Sequence, residues 1–199
     1  MADYYTTFSF LAGALRATDA RFLLNLQDAL IATAMTDCPA DEASDDALAA
    51  TLLANLQRCA APEHLPTQES FTGALQCLRP WLTNASGRRR AMSNAEWVGD
   101  LAGFPDIVIQ GQDAWVCSAE GGVCISTVVF LMRLWLLTAE EPPRYVGFEW
   151  AHHCSRLIDD GFGGGAVLVT AASETWMNTA AWLDEEIGRA KNATAALQP

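Results

Sequence analysis

The stretch that decides the fold runs from Arg144 to Ile187, RYVGFEWAHHCSRLIDDGFGGGAVLVTAASETWMNTAAWLDEEI. Within it, residues 145–151 and 165–170 are rich in β-branched and aromatic side chains, a composition typical of strands. Residues 174–177 predict an extension of the same sheet. We therefore expect a mainly antiparallel sheet in this part of the chain.

A helix is predicted to close this stretch, with Asn178 or Thr179 as its N-cap. The residues that share its predicted inner face are Ala180, Leu183, Ile187 and Ala190. Glu185 and Arg189 are four residues apart, a spacing at which opposite charges pair on a helix surface.

Working back toward the N-terminus, residues 4–10 (YYTTFSF) predict a strand, and apolar residues at helical spacing then predict three helices. The predicted starts of these helices are Asp19, then Ser44 or Asp45, then Thr67. We interpret residues 36–104 as a helical insertion within a single domain that spans residues 1–199.

Strand signals resume at Asp106, where residues 106–110 and 114–118 flank the turn residues 111–113. Residues 123–137 are apolar nearly all round, which favours a buried helix, although their β-branched content leaves a strand as the alternative. The sequence as a whole predicts an α+β fold, with a mainly antiparallel sheet, helices packed on one face of it, and the helical insertion.

The chain is strongly acidic, with a net charge of −12. Such a surface repels nucleic acid and anionic membranes, so we expect no direct nucleic-acid binding and no membrane association. The start of the chain does not resemble a signal peptide, and the scattered cysteines are typical of buried thiols in a reducing compartment. We therefore expect a cytoplasmic protein.

Three segments resemble a family of small uncharacterised bacterial proteins associated with phages, plasmids and other mobile elements. They are YTTFSF near the start, GFEWAHHCS, and DGFGGGAVLVTAASETWMNTAAWL. The resemblance implies an accessory protein of a mobile element. It assigns no activity and no functional residue.

His152, His153 and Cys154 are the densest cluster of candidate ligands or nucleophiles. With Cys117 and Cys124 they suggest either a zinc site or a Cys–His enzyme. In a strand, however, His152 and Cys154 share one face while His153 points to the other. The pattern favours hydrogen-bonded histidines and a buried thiol at a strand end, and we predict no metal and no cofactor.

The glycine run at 161–165 raises the question of a phosphate-binding loop. Phosphate binding needs backbone amides at a helix N-terminus, whereas these glycines lead into a strand and follow Asp159 and Asp160. We therefore expect a turn, a bulge or a close approach of backbones.

For function, the sequence favours a non-enzymatic binding protein, an accessory or inhibitor that docks on a basic, nucleic-acid-binding surface of a host protein complex, such as a CRISPR complex. The alternatives are an enzyme that uses Cys154 with His152 or His153, and a small structural or regulatory protein whose acidity serves only solubility. The predicted partner contacts are the densest acids, Asp37, Asp41, Glu42, Asp45 and Asp46, with Asp159 and Asp160 as a second patch. The seven tryptophans are predicted to lie mostly in the core, with one or two exposed on the sheet as anchors for a partner.

Overall fold

The computed structural model describes residues 4–14, 17–35, 45–59, 65–78, 104–118, 123–154 and 162–195. The strands in these ranges are β1 (Tyr4–Thr7), β2 (Ser9–Ala14), β3 (Asp106–Gln110), β4 (Asp113–Cys117), β5 (Val146–Cys154), β6 (Phe162–Val169) and β7 (Glu174–Asn178). The helices are α1 (Ala17–Met35), α2 (Asp45–Cys59), α3 (Gln68–Cys77), α4 (Ile125–Thr138) and α5 (Thr179–Ala195).

The strands form two antiparallel sheets. One has four strands in the order β1-β5-β6-β7, and the other has three in the order β2-β4-β3. The predicted α+β class is confirmed. The prediction of one sheet is corrected, because the strands are divided between two.

The division arises at the N-terminus, where the single strand predicted at residues 4–10 is two strands. β1 pairs with β5, whereas β2 pairs with β4. Phe8 lies between them and is buried, and its carbonyl accepts a hydrogen bond from the Ser118 backbone N–H at 3.1 Å. The Ser118 hydroxyl donates to the Thr6 carbonyl at 2.7 Å. Ser118 is thus hydrogen-bonded both to β1 and to the residue at the break.

Stacked aromatic rings join the two sheets. Phe10 of β2 lies parallel to Phe148 of β5, with ring centroids 4.5 Å apart and an interplanar angle of 9°. Phe8 packs against both rings. Aromatic pairs of this kind contribute about 0.5–1.5 kcal/mol beyond the burial of their area. The two sheets therefore share one hydrophobic core.

Helix α4 lies in that core, as its apolar sequence predicts. Leu131, Met132 and Trp135 are fully buried, and the helix contacts α1, α3 and β6. No helix in the described part of the chain combines the length and the hydropathy needed to cross a membrane.

The one charged residue among the buried side chains of α4, Arg133, is paired. Its Nη1 donates to the Glu174 carboxylate at 2.6 Å, and its Nη2 donates to the Ala172 carbonyl at 3.1 Å. Glu174 begins β7, so the guanidinium fixes the turn between β6 and β7 against the core.

Two predicted helix starts are confirmed by capping hydrogen bonds. The Thr67 hydroxyl accepts from the Ser70 backbone N–H at 3.2 Å at the start of α3. The Asn178 side chain accepts from the first two N–H groups beyond Thr179 in α5, at 3.0 and 3.1 Å. Both contacts are typical N-caps.

The predicted N-cap of α1 is wrong. The helix begins at Ala17, and Asp19 lies buried in its first turn rather than at its N-cap. An acidic side chain is favoured at both positions, since each places the carboxylate near the exposed N–H groups of the helix end. The sequence pattern alone therefore does not separate them.

The helices α2 and α3, which lie in the predicted insertion, pack into the common core. Leu56, Phe71 and Leu75 are fully buried. Asn55 of α2 donates to the Thr33 hydroxyl of α1 at 2.9 Å. Residues 79–103 of the predicted insertion lie outside the described residues.

Candidate binding surface

Most of the acidic residues predicted to contact a partner lie outside the described part of the chain. These are Asp37, Asp41, Glu42, Asp159 and Asp160. Asp45 and Asp46 form the first turn of α2, but their side chains are not described. Both acidic patches remain predictions, and the described residues provide the rest of the site.

The thiol–histidine cluster forms the last three residues of β5, as predicted, although the strand continues three residues beyond its predicted end to reach Cys154. His152 faces Thr6 across the sheet, while His153 stacks on Tyr5 with ring centroids 5.2 Å apart. The two histidines thus lie on opposite faces, as the strand period predicts. The side chain of Cys154 is outside the described atoms.

Both ring nitrogens of His152 are engaged. The Trp150 indole N–H donates to Nε2 at 3.1 Å, and Nδ1 lies 2.9 Å from the Thr6 hydroxyl. An indole N–H only donates, so Nε2 must be the accepting, unprotonated nitrogen. In that neutral tautomer Nδ1–H donates to Thr6. This imidazole therefore joins β5 to β1 instead of presenting a free nitrogen for catalysis.

Cys117 and Cys124 are the other candidate ligands. Within the described ranges, no group of three or more His, Cys, Asp and Glu side chains is placed to hold a metal ion. Cys117 lies on β4 in the other sheet, where burial raises the pKa of its thiol and the nearby charge of Asp106 raises it further. Its thiol is therefore a weak nucleophile.

The expectation of buried thiols is wrong for two residues. Cys59 at the end of α2 and Cys77 at the end of α3 are both exposed free thiols. Both occupy the last position of their helix.

The glycine run allows a close approach of strands, which is one of the three outcomes expected. Gly163, Gly164 and Gly165 lie inside β6 and not at a helix N-terminus, so the phosphate-loop geometry is absent from this segment. A Cβ atom at Gly164 would collide with the Trp150 carbonyl oxygen, and one at Gly165 would meet both β7 backbone and the Trp150 ring.

More tryptophans are exposed than the one or two that the sequence predicts. Trp135 is fully buried, but Trp115, Trp176 and Trp182 are each at least 40% exposed. Trp150 is half-buried against the core. Trp81 and Trp97 lie outside the described residues. Exposure of several tryptophans is a feature of protein-binding surfaces, where this residue is enriched at energetic hot spots.

Helix α5 carries the densest exposed apolar group. Trp182 is 55% exposed, Leu183 52% and Ile187 42%. The prediction that Leu183 and Ile187 face inward is therefore wrong. All side chains from Thr179 to Glu185 are exposed, and among the described elements the helix packs mainly against the adjoining strands β6 and β7. We call Trp182, Leu183 and Ile187 the α5 apolar surface.

Acidic residues border the α5 apolar surface. At 3.6 residues per turn, Glu185 lies beside Trp182, and Asp184 lies beside Ile187 on the other flank. Glu185 and Glu186 both pair with Arg189, which confirms the predicted Glu185–Arg189 contact at 3.4 Å. Glu186 projects between Trp182 and Leu183, so the helix presents an apolar face that carboxylates flank and interrupt.

A second exposed apolar group lies on the outer face of the three-stranded sheet. Leu11, Trp115 and Val108 stand directly opposite one another on β2, β4 and β3, and each is 40–45% exposed. Their neighbours in register, Phe10, Val116 and Ile107, face the core. Side chains alternate between the two faces of β3 and β4, and the central outward positions, Val108 and Trp115, are apolar.

Comparison of this chain with protein-family models, with curated proteins and with solved structures gives no match. The site must therefore be interpreted from its own chemistry. The sequence carries one signal for the α5 apolar surface. Trp182 lies off the stripe of Leu183 and Ile187, so the apolar residues cover a wider arc than packing on one sheet face requires.

Proposed function

We propose that this protein is a non-enzymatic acidic binding protein, an accessory or inhibitor from a mobile element. It docks on a basic, nucleic-acid-binding surface of a host protein complex. The observation that carries the proposal is the α5 apolar surface, where three large side chains remain about half exposed among carboxylates. In a protein–protein interface, apolar anchors lie at the centre and charged residues form the rim.

The apolar side chains of α5 supply the affinity in this proposal. Fully burying a large apolar side chain stabilises by about 1.5–3 kcal/mol, so Trp182, Leu183 and Ile187 retain roughly half of that for a partner. A helix that presents such a face fits an apolar groove on the partner.

The acidic residues select the kind of partner. The net charge of −12 disfavours acidic proteins and attracts basic ones over distances near 10 Å. Basic grooves on proteins are commonly nucleic-acid-binding surfaces. An acidic protein anchored in such a groove competes with nucleic acid for it, which is the basis of the proposed inhibition.

The geometry of His152 favours a binding role over the alternative Cys–His enzyme. A general base needs a free nitrogen within hydrogen-bond reach of the nucleophile. Both nitrogens of His152 are instead committed to Trp150 and Thr6, and His153 is stacked on Tyr5 on the other face.

The test is affinity capture from a host lysate, quantified by mass spectrometry, with parent protein and a Trp182→Gln/Leu183→Gln variant. Glutamine is a good helix former, so α5 is preserved. The matched control is Tyr145→Gln, which removes an exposed aromatic residue at the opposite end of β6. The proposal requires a basic protein captured by the parent and the control and lost from the α5 variant. Equal capture by all three proteins contradicts it.

A further inference from the structure

We propose that the outer face of the three-stranded sheet binds an arginine side chain of a partner protein, with the guanidinium stacked on Trp115. This surface comprises Leu11, Trp115 and Val108 with the carboxylates of Asp106 and Asp113, and we call it the Trp115 face. It is separate from α5. The identity of the partner rests on the proposed function, but the recognition of arginine does not.

The register of the sheet places both carboxylates around the indole. Asp113 precedes Trp115 by two residues on β4, so both side chains lie on the same face. Asp106 stands opposite Cys117 on β3, diagonal to Trp115. Diagonal neighbours on one sheet face lie about 7–8 Å apart, which a side chain bound over the indole can span.

Arginine fits this arrangement better than other side chains do. Its planar guanidinium stacks on an indole face while its N–H edge donates to carboxylates, and it sheds its water more readily than an ammonium group. Leu11 and Val108 flank the indole on the two neighbouring strands and can cover the apolar stem of the arginine. The Trp115 face thus offers a contact for the guanidinium plane, for its N–H groups and for the apolar stem of the arginine.

The charge balance also commits the surface to a cationic partner. Both charged residues named on this face are acidic, and the whole chain carries −12. An exposed apolar row alone would accept any apolar surface. The carboxylates on both sides of Trp115 make a neutral or acidic occupant unfavourable, because desolvating an unpaired carboxylate costs free energy.

The experiment titrates hexa-arginine, hexa-lysine and hexa-citrulline peptides into the protein by isothermal calorimetry and by NMR of the tryptophan indole signals. Trp115→Phe assigns the Trp115 signal. We expect hexa-arginine to bind more tightly than hexa-lysine, hexa-citrulline not to bind, and the Trp115 indole signal to shift. Trp115→Leu should weaken hexa-arginine binding about 2- to 30-fold, the range of a cation–π contact.

Two further variants separate the outcomes. Asp106→Asn/Asp113→Asn keeps Trp115 and should weaken hexa-arginine binding about 2- to 10-fold, so it tests the site even if Trp115→Leu unfolds. Trp182→Gln should bind hexa-arginine like the parent. Equal binding of arginine and lysine peptides, or an unmoved Trp115 signal, overturns the inference. Loss of binding in Trp182→Gln also overturns it but leaves the proposed function of α5 standing.

Discussion

The Trp150 indole lies across Gly165 on the neighbouring strand, the residue directly opposite it in register. A Cβ atom at Gly165 would come within 2.6 Å of Cζ2 of the ring. The same indole donates to His152 and meets Trp176 edge-on, with centroids 5.9 Å apart. Gly165 therefore leaves room for the Trp150 ring, which in turn donates a hydrogen bond to His152.

We expect Gly165→Ala to destabilise the protein by about 1–3 kcal/mol, because the added methyl group overpacks Trp150 and the β7 backbone. The matched control is Gly163→Ala, where a Cβ atom meets nothing within 4 Å. That change should alter the free energy of unfolding by about 0.5 kcal/mol or less. Urea unfolding measures both. Equal effects of the two substitutions would show that the glycines are not needed for close packing.

The Arg133–Glu174 pair should stabilise the turn between β6 and β7. Glu174→Gln leaves the buried guanidinium without its carboxylate, and we expect a loss of about 1.5–3 kcal/mol in the free energy of unfolding. Arg133→Met/Glu174→Gln removes the buried charge as well and should recover part of that loss. A double-mutant cycle in urea measures the coupling. A coupling near zero would contradict the structural role of the pair.

Cys117 should react slowly with alkylating reagents. Burial raises the pKa of its thiol, and the Asp106 charge raises it further, so Asp106→Asn should lower that pKa toward its ordinary value. Iodoacetamide labelling resolved by peptide mass spectrometry should show Cys117 reacting at lower pH in the variant, with exposed Cys59 as a control for reagent activity. If the pH dependence of Cys117 labelling is unchanged in the variant, Asp106 does not influence this thiol.

The same raised pKa affects stability in alkaline solution. The unfolded chain loses the Cys117 proton at a lower pH than the folded chain does. Folding is therefore weakened as pH rises above the ordinary thiol pKa, and not below it. Asp106→Asn should reduce this alkaline loss, which thermal unfolding across that pH range measures.

The acidic stretch should speed association with the partner. We expect association to become slower and less dependent on salt when the acids of this stretch are changed to Asn and Gln, because complementary charges steer association. Each exposed charge adds only about 0.2–1 kcal/mol to affinity. The residues changed are Asp37, Asp41, Glu42, Asp45 and Asp46. Stopped-flow association with the captured partner over a salt series measures this. The control is Glu149→Gln, an exposed acid on β5. An unchanged association rate would show that this acidic stretch is not part of the interface.

The regular elements could be predicted because their signals are local. The caps at Thr67 and Asn178, the hairpin turn at Gly111 with φ 66°, and the apolar run of α4 each specify their structure within a few residues. The break at Phe8 could not be predicted, because the partners of β1 and β2 lie about 100 residues or more away along the chain.

The candidate surfaces could not be predicted for a related reason. An apolar stripe such as Leu183 and Ile187 indicates that a helix has a face to bury, but not whether the partner is its own sheet or another protein. The exposure of Trp115 likewise depends on the sheet to which β4 belongs. Both facts are properties of tertiary packing.

The most direct test of the central claim is displacement of nucleic acid from the captured host protein. A fluorescent oligonucleotide bound to that protein is titrated with the parent chain, Trp182→Gln/Leu183→Gln and Tyr145→Gln, and its anisotropy is followed. We expect the parent and the Tyr145 control to release the oligonucleotide. The α5 variant should need about 10- to 100-fold more protein, as for loss of one or two interface anchors. Binding of the parent chain with the oligonucleotide still in place would contradict the account.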